Sequence, residues 1–183
     1  MNKEALHKVS IRGTILYPTD TVWGLGCDAT DEVAVENIFK IKQRSECKSL
    51  IVLVNSIEML QQYVTSVPKA ALEILAKATR PTTIVYPNSI GLAKNVVAAD
   101  NTVAIRIVKQ EFCENLIKEF GKPIVSTSAN ISGEPTPKSF EEISQAILDS
   151  VDYVVDLHHD SKNDKSSRIL KINTDGTIEV IRD

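Results

Sequence analysis

The residues able to do chemistry fall in four places. Leu16 to Ala29, LYPTDTVWGLGCDA, sets Thr19, Asp20 and Thr21 between a proline and the only tryptophan, then adds Gly24 and Gly26. Hydroxyls both donate and accept hydrogen bonds, so Thr19 and Thr21 suit a small polar ligand. Gly24, Gly26 and Ala29 also match the GxGxxA variant of the dinucleotide fingerprint. There, however, the first glycine follows the strand at once, whereas six residues, Pro18 to Trp23, separate Tyr17 from Gly24 here. A third reading gives the glycines only a tight backbone path, with Trp23 in the core.

Lys42-Gln43-Arg44 joins a point charge to a forked guanidinium. At a helix end the two cations satisfy the last carbonyls and the dipole; against a triphosphate they neutralise adjacent phosphates. STSANISG, Ser126 to Gly133, is either an ordinary Ser/Asn turn or a set of hydrogen-bonding groups, Ser128, Asn130 and Ser132, at a strand end. Open α/β sheets bind ligands at such ends. Arg106, inside the apolar run TVAIRIV, needs an anionic partner if buried, and a ligand carboxylate or phosphate would supply one. Arg182 reads either as an edge-strand charge or as a second such cation.

Hydrophobic pattern and punctuation place these groups. Strands are predicted over Thr14 to Tyr17, Ser49 to Val54, Thr82 to Tyr86, Thr102 to Val108, Pro123 to Ser128, Tyr153 to Asp156, Ile169 to Ile172 and Ile178 to Ile181. Pro18 cannot donate to a ladder, so the opening stretch is expected to leave a sheet edge. A helix capped by Thr30 or Asp31 should run to about Lys42 with Val35, Ile38 and Phe39 on its inner face. Capping-box signals fall at Asn55 with Glu58 and at Ser139 with Glu142. Pro68 suits a helix start, with Leu72, Leu75 and Ala76 on one side. Glu111 to Phe120 is amphipathic and ends at Gly121. His158 to Ser167 is polar and expected to be mobile. Alternating strands and helices with a terminal hairpin point to a single α/β domain over 1–183 with a mixed sheet.

Composition excludes several classes. With 183 residues, 43% hydrophobic and 25% charged, the chain is long enough for one substantial core. A net charge of -3 argues against a broadly basic surface, so any polyanion site must be local. No signal-peptide core opens the chain and no run approaches the roughly 18 apolar residues of a membrane span, so a soluble cytoplasmic protein without membrane contact is expected. Cys27, Cys47 and Cys113 are far apart and read as structural thiols. His7, His158 and His159 are too few and badly spaced for a metal cluster, the last two reading as a solvated turn.

YPTDTVWGLGCDA, IFKIKQR, TVAIRIV and PIVSTSANISGEPTP, in this order, resemble the YrdC-like family of threonylcarbamoyl-adenylate synthases in its short, single-domain form, with the likeness running from Gly13 to Arg182. The resemblance implies a twisted mixed sheet flanked by helices with a positively charged concave face. It implies a nucleotidyltransferase that binds ATP, L-threonine and bicarbonate, with magnesium on the nucleotide, and releases threonylcarbamoyl-AMP and pyrophosphate. Partner proteins would use the adenylate for tRNA modification, and family members are also described as double-stranded RNA binders. Residue by residue, it implies a threonine site at Thr21, Arg106, Ser128 and Ser166, and Lys42 and Arg44 against the ATP phosphates. Thr102, Asn130 and Arg182 would lie near the nucleotide.

Departures occur after Arg44, where Ser45 and then Lys48-Ser49-Leu50 replace the family's usual residues. Lys48 would serve there as a phosphate-binding cation. Leu53 stands where a histidine is common, and Arg80-Pro81-Thr82-Thr83 replaces a longer Trp-Pro-Gly segment. Two alternatives stay open: a paralogue that binds RNA or ribosomal particles, and a related carbamoyl-adenylate enzyme with another acceptor.

Overall fold

The computed structural model describes residues 2–44, 50–163, 165–173 and 177–183. Each predicted strand is present, with ends shifted by up to two residues. The strands are β1 (Ile15–Tyr17), β2 (Gly24–Gly26), β3 (Ile51–Val54), β4 (Thr82–Pro87), β5 (Thr102–Ile107), β6 (Ile124–Ser128), β7 (Tyr153–Val154), β8 (Arg168–Ile172) and β9 (Ile178–Arg182). They hydrogen-bond in the order β7-β1-β2-β6-β3-β5-β4-β8-β9. The pairs β1–β7, β3–β5 and β4–β8 are parallel and the others antiparallel, so the sheet is mixed, as expected.

Strand alternation sends neighbouring side chains to opposite faces, and the two faces are covered unequally. On one, Leu16, Leu25, Val52, Val54, Ile105 and Val125 meet α2 (Glu32–Lys42), α3 (Ile57–Tyr63), α4 (Lys69–Lys77) and α6 (Gln145–Ser150) through Ile38, Leu60, Ala71 and Ile147. On the other, Ile15, Tyr17, Leu53, Val108 and Ile124 meet α1 (Lys3–Ser10) and α5 (Glu111–Phe120), with Met59 of α3 partly buried against them. The rest of that second face is where a cavity forms. Asp31 caps α2 by accepting from the Val33 and Ala34 amides, and Gly121 ends α5 at φ 73°.

Several expectations are corrected. Helix α1, whose N-cap is Asn2, was not predicted. Ser56, not Asn55, caps α3, because its hydroxyl reaches the Met59 amide. Ser139 opens only a short 3-10 turn without a side-chain cap, and Glu142 accepts from the Lys138 amide instead; α6 starts after Ser144. On α4 the inward residues are Ala71, Ile74 and Leu75, while Ala76 is exposed.

The opening stretch does not leave the sheet at an edge. After Pro18 the chain reverses and inserts β2 between β1 and β6, pairing Tyr17 with Gly24 and Leu25 with Thr127. The glycines are explained by Tyr17, whose buried ring lies across β2 and whose hydroxyl donates to the Val125 carbonyl at 3.2 Å. A Cβ on Gly26 would sit 2.6 Å from that same oxygen and 2.7 Å from the ring. They therefore make room for a side chain, not for a dinucleotide phosphate. Trp23 is buried against Phe140, their ring centres 5.0 Å apart, as the third reading has it. His159 stacks on Phe140 at 3.9 Å and is not simply solvated.

Cys27 and Cys113 are buried free thiols, as expected, each pushed up by burial; Cys47 lies outside the described residues. Among the described residues no cluster of acidic, His or Cys side chains is suited to a metal. No described helix is long and apolar enough to cross a membrane.

Candidate functional site

The uncovered part of the second face holds a cavity of about 270 Å³. Its floor follows from strand register: Ser126 faces Ile51 across β6 and β3, and Arg106 faces Thr83 across β5 and β4. Gly24, opposite Ser128, contributes no side chain and so keeps the floor open. Thr21 approaches from the β1–β2 turn, Arg44 from the end of α2, and Ser166, Ser167 and Arg182 from the β8–β9 side. Thr21, Arg44, Arg106, Ser128, Ser166 and Arg182, all singled out in the sequence, therefore share one cavity.

The structure adds Ser126, Thr127, Thr136 and Ser167 to its lining. Ser126 and Thr127 lay in the STSANISG run, where alternation along a strand was the available signal. Thr136 lies at the GEPTP end of PIVSTSANISGEPTP but was not singled out, and nothing local marked Ser167.

Two ends can be distinguished by their hydrogen bonds. At the first, Thr19 and Thr21 hydroxyl oxygens are 2.9 Å apart and both residues are buried. Beside them, an Arg106 terminal nitrogen lies 3.1 Å from Asp20 Oδ1, with Arg106 only 3% exposed. The anion that buried Arg106 requires is thus supplied in part by the protein, two residues from Pro18, rather than by a ligand alone. Arg106 Nε, also buried, has no hydrogen-bond partner among the described residues, while the residue as a whole lines the cavity.

On the β8–β9 side, Arg182 donates from Nε and a terminal nitrogen to the Ser167 carbonyl at 3.0 and 2.8 Å. The Ser167 hydroxyl shares a 2.8 Å bond with Thr83. Desolvation and then the neighbouring Arg106 charge lower the Arg182 pKa, so an anion between the two guanidiniums is favoured. With Arg44 the lining holds three guanidiniums and, among the described residues, no carboxylate.

At the second end, Lys42 is not part of the cavity wall. Although on the last turn of α2 it is 2% exposed, because its ammonium reaches across to donate to the Ser128 carbonyl at 2.6 Å and the Asn130 carbonyl at 2.7 Å. Asn130 Oδ1 lies at 3.3 Å from the same nitrogen and accepts from the Ser128 hydroxyl at 2.6 Å, while Asn130 Nδ2 donates to Glu134. Lys42 and Asn130 thus shape the loop that presents Ser128, where Lys42 was expected against the ATP phosphates and Asn130 near the nucleotide. Burial, and after it the Arg44 charge, push Lys42 down to about 8.

Thr102 is not brought to the site either: its hydroxyl donates to Asp100 at 2.7 Å, in a separate groove that includes Lys171. Lys48 lies outside the described residues. Leu53 is fully buried beneath α5, consistent with an apolar side chain at that position.

A mixed α/β domain with hydroxyls and a carboxylate-paired arginine at one end of a cavity, and guanidiniums around the rest, is suited to small anionic ligands. The chain belongs to the Sua5/YciO/YrdC family, whose profile, described as telomere recombination, matches residues 11–183. It is 35% identical over 156 residues to a threonylcarbamoyl-AMP synthase of Idiomarina loihiensis, covering 84% of each chain. It superposes on P. abyssi Sua5 complexed with L-threonine at a TM-score of 0.89 and 27% identity, over 98% of this chain and 53% of that one. The chain thus spans about half the length of that Sua5. E. coli YciO shares the fold at a TM-score of 0.85 and 24% identity, over 98% of this chain and 86% of its own.

Proposed function

We propose that residues 1–183 act as one domain, an L-threonylcarbamoyladenylate synthase that uses ATP, L-threonine and bicarbonate in the cytoplasm and supplies tRNA modification through partner proteins. The observation that carries this is the two-ended cavity itself: hydroxyls and a carboxylate-paired arginine, Arg106, beside two further guanidiniums, Arg44 and Arg182. Support comes from a relative named threonylcarbamoyl-AMP synthase and from a Sua5 that holds L-threonine.

In this reading Arg106 takes the amino-acid carboxylate, with Thr21, Ser128 and Ser166 around the rest of that molecule. Arg44 and Arg182 face the phosphates, with Lys42 and Asn130 fixing Ser128 between the two substrates. The threonine amine and bicarbonate give a carbamate and water. A carbamate oxygen then bonds to the α-phosphorus while the bond to the bridging pyrophosphate oxygen breaks, and the electron pair leaves with pyrophosphate. Positioning and the cationic lining lower this barrier; no histidine is needed. A protein-held magnesium does not fit a lining of hydroxyls and guanidiniums, so the ion belongs to the nucleotide phosphates.

The test is pyrophosphate release from ATP and bicarbonate with and without L-threonine. Threonine-dependent release is expected. Release without threonine would indicate another carbamoyl-adenylate acceptor, and no turnover together with tight double-stranded RNA binding would replace the enzyme by an RNA-binding protein.

A further inference from the structure

The hydrogen bonds around Thr19 can be counted completely. Its hydroxyl has one proton and two lone pairs. The proton goes to the Val22 carbonyl at 2.8 Å, since a carbonyl only accepts. One lone pair accepts from the Thr21 amide at 2.9 Å. The remaining contact, 2.9 Å to the Thr21 hydroxyl, must therefore be donated by Thr21. Thr21 has then spent its only proton inside the protein and offers the cavity lone pairs alone.

The turn that fixes this arrangement is anchored from outside. Asp20, between the two threonines, pairs with Arg106 and accepts from the Lys109 amide at 3.4 Å, and the Cys113 thiol donates to the Pro18 carbonyl at 3.5 Å.

We propose that Thr19 is a positioning residue for substrate selection: it consumes the Thr21 proton, so that Thr21 accepts only from a substrate N–H or O–H donor. A carbonyl, ether or carboxylate oxygen in the same place meets lone pairs and is rejected. The Arg106 guanidinium, in the lining of the same cavity, holds only donors and supplies the opposite preference close by. An acceptor beside a donor reads the amine or hydroxyl and the carboxylate of an amino acid. The choice of L-threonine as that amino acid rests on the function proposed above.

The test combines Thr19→Val and Thr19→Ser with calorimetric titration of L-threonine and of ATP separately. Thr19→Val leaves the Thr21 proton free to turn into the cavity, and L-threonine binding is expected to weaken about tenfold with ATP binding changed by less than about twofold. Thr19→Ser keeps every bond and restores wild-type L-threonine affinity. Unchanged L-threonine binding in Thr19→Val, or equal loss of both ligands, overturns the proposal.

Neutron diffraction of the perdeuterated wild-type protein reads the wiring without any ligand. A Thr21 deuteron on the line to Thr19 is expected, and one directed into the cavity overturns the proposal even if Thr19→Val fails to fold. A wild-type chain that binds no L-threonine would sink the synthase reading, while the deuteron position still decides the role of Thr19.

Discussion

The two ends of the cavity are built by opposite strategies. At the hydroxyl end the bonds of Thr19 are local, joining residues two or three positions apart inside one turn, while Asp20 and Pro18 tie that turn to distant residues, Arg106, Lys109 and Cys113. The Lys42 end is long-range: that side chain joins the end of α2 to residues 86 and 88 positions later in the chain. A local array forms with its own turn, whereas the Ser128–Asn130 loop takes its shape only after β6 and α2 have docked on the same sheet. The Thr19 array is therefore set within its own turn, and the second end depends on the rest of the fold to place Ser128.

The sharpest separation is expected from Arg106→Ala. Removing the buried guanidinium strips the carboxylate partner from the hydroxyl end and leaves Asp20 unpaired, and charge-assisted bonds of this kind contribute on the order of 1.5–3 kcal/mol each. L-threonine binding should fall about 100-fold while ATP affinity changes by less than about threefold, read by titration of each ligand. Equal loss of both would mean that the ends are not separate.

Lys42→Met is the counterpart. It withdraws the donor from two carbonyls and one side-chain oxygen. Turnover should drop about tenfold or more, with faster amide exchange at Ser128 to Ser132 and a smaller loss of L-threonine affinity than in Arg106→Ala. A turnover unchanged by Lys42→Met would show that the loop holds its shape without the cross-link.

This contrast also explains what the sequence disclosed. PTDT announced a polar turn because its bonds are local, and Arg106 announced a buried charge because it interrupts a β-branched run. The end of α2 and the amphipathic α5 were equally legible from caps and spacing. Strand β2 was hidden because its two glycines look like loop residues; only the Tyr17 ring across them gives the reason, and that is a tertiary contact. Lys42 read as a phosphate cation because its acceptors lie in a loop far along the chain. Thr136 and Ser167 were missed for the same reason.

A pH series probes the long-range end without mutation. Lys42, ordinarily near 10.5, is pushed down to about 8 in the folded protein. Between these values the unfolded chain binds more protons than the folded one, so this residue makes stability rise with pH; below about 8 both forms are protonated and it adds no slope. The neutral amine keeps two N–H groups for three acceptors, so the loop slackens over the same range. Relative to Lys42→Met, melting temperature should rise above pH 8 while turnover declines. A parallel rise of both would remove Lys42 from any role in holding the loop.

Thr102→Ala should have the smallest effect and marks where the cavity stops. Thr102 and Arg106 lie on the same side of β5, four residues and so about 13 Å apart. The Thr102 hydroxyl is committed to Asp100, whose carboxyl it holds below the usual range. A phosphate placed beside Thr102 would therefore meet a carboxylate, already paired with Lys171 at 3.8 Å, in a groove where Lys69 is the other cation among the described residues. ATP affinity should change by less than about twofold, and the exposed bond to Asp100 should be worth under about 1 kcal/mol in stability. A tenfold loss of ATP binding would mean that the nucleotide runs the length of β5, past Arg106 and into the Asp100 groove. The hydroxyl end would then lie in the middle of the binding surface, not at its limit.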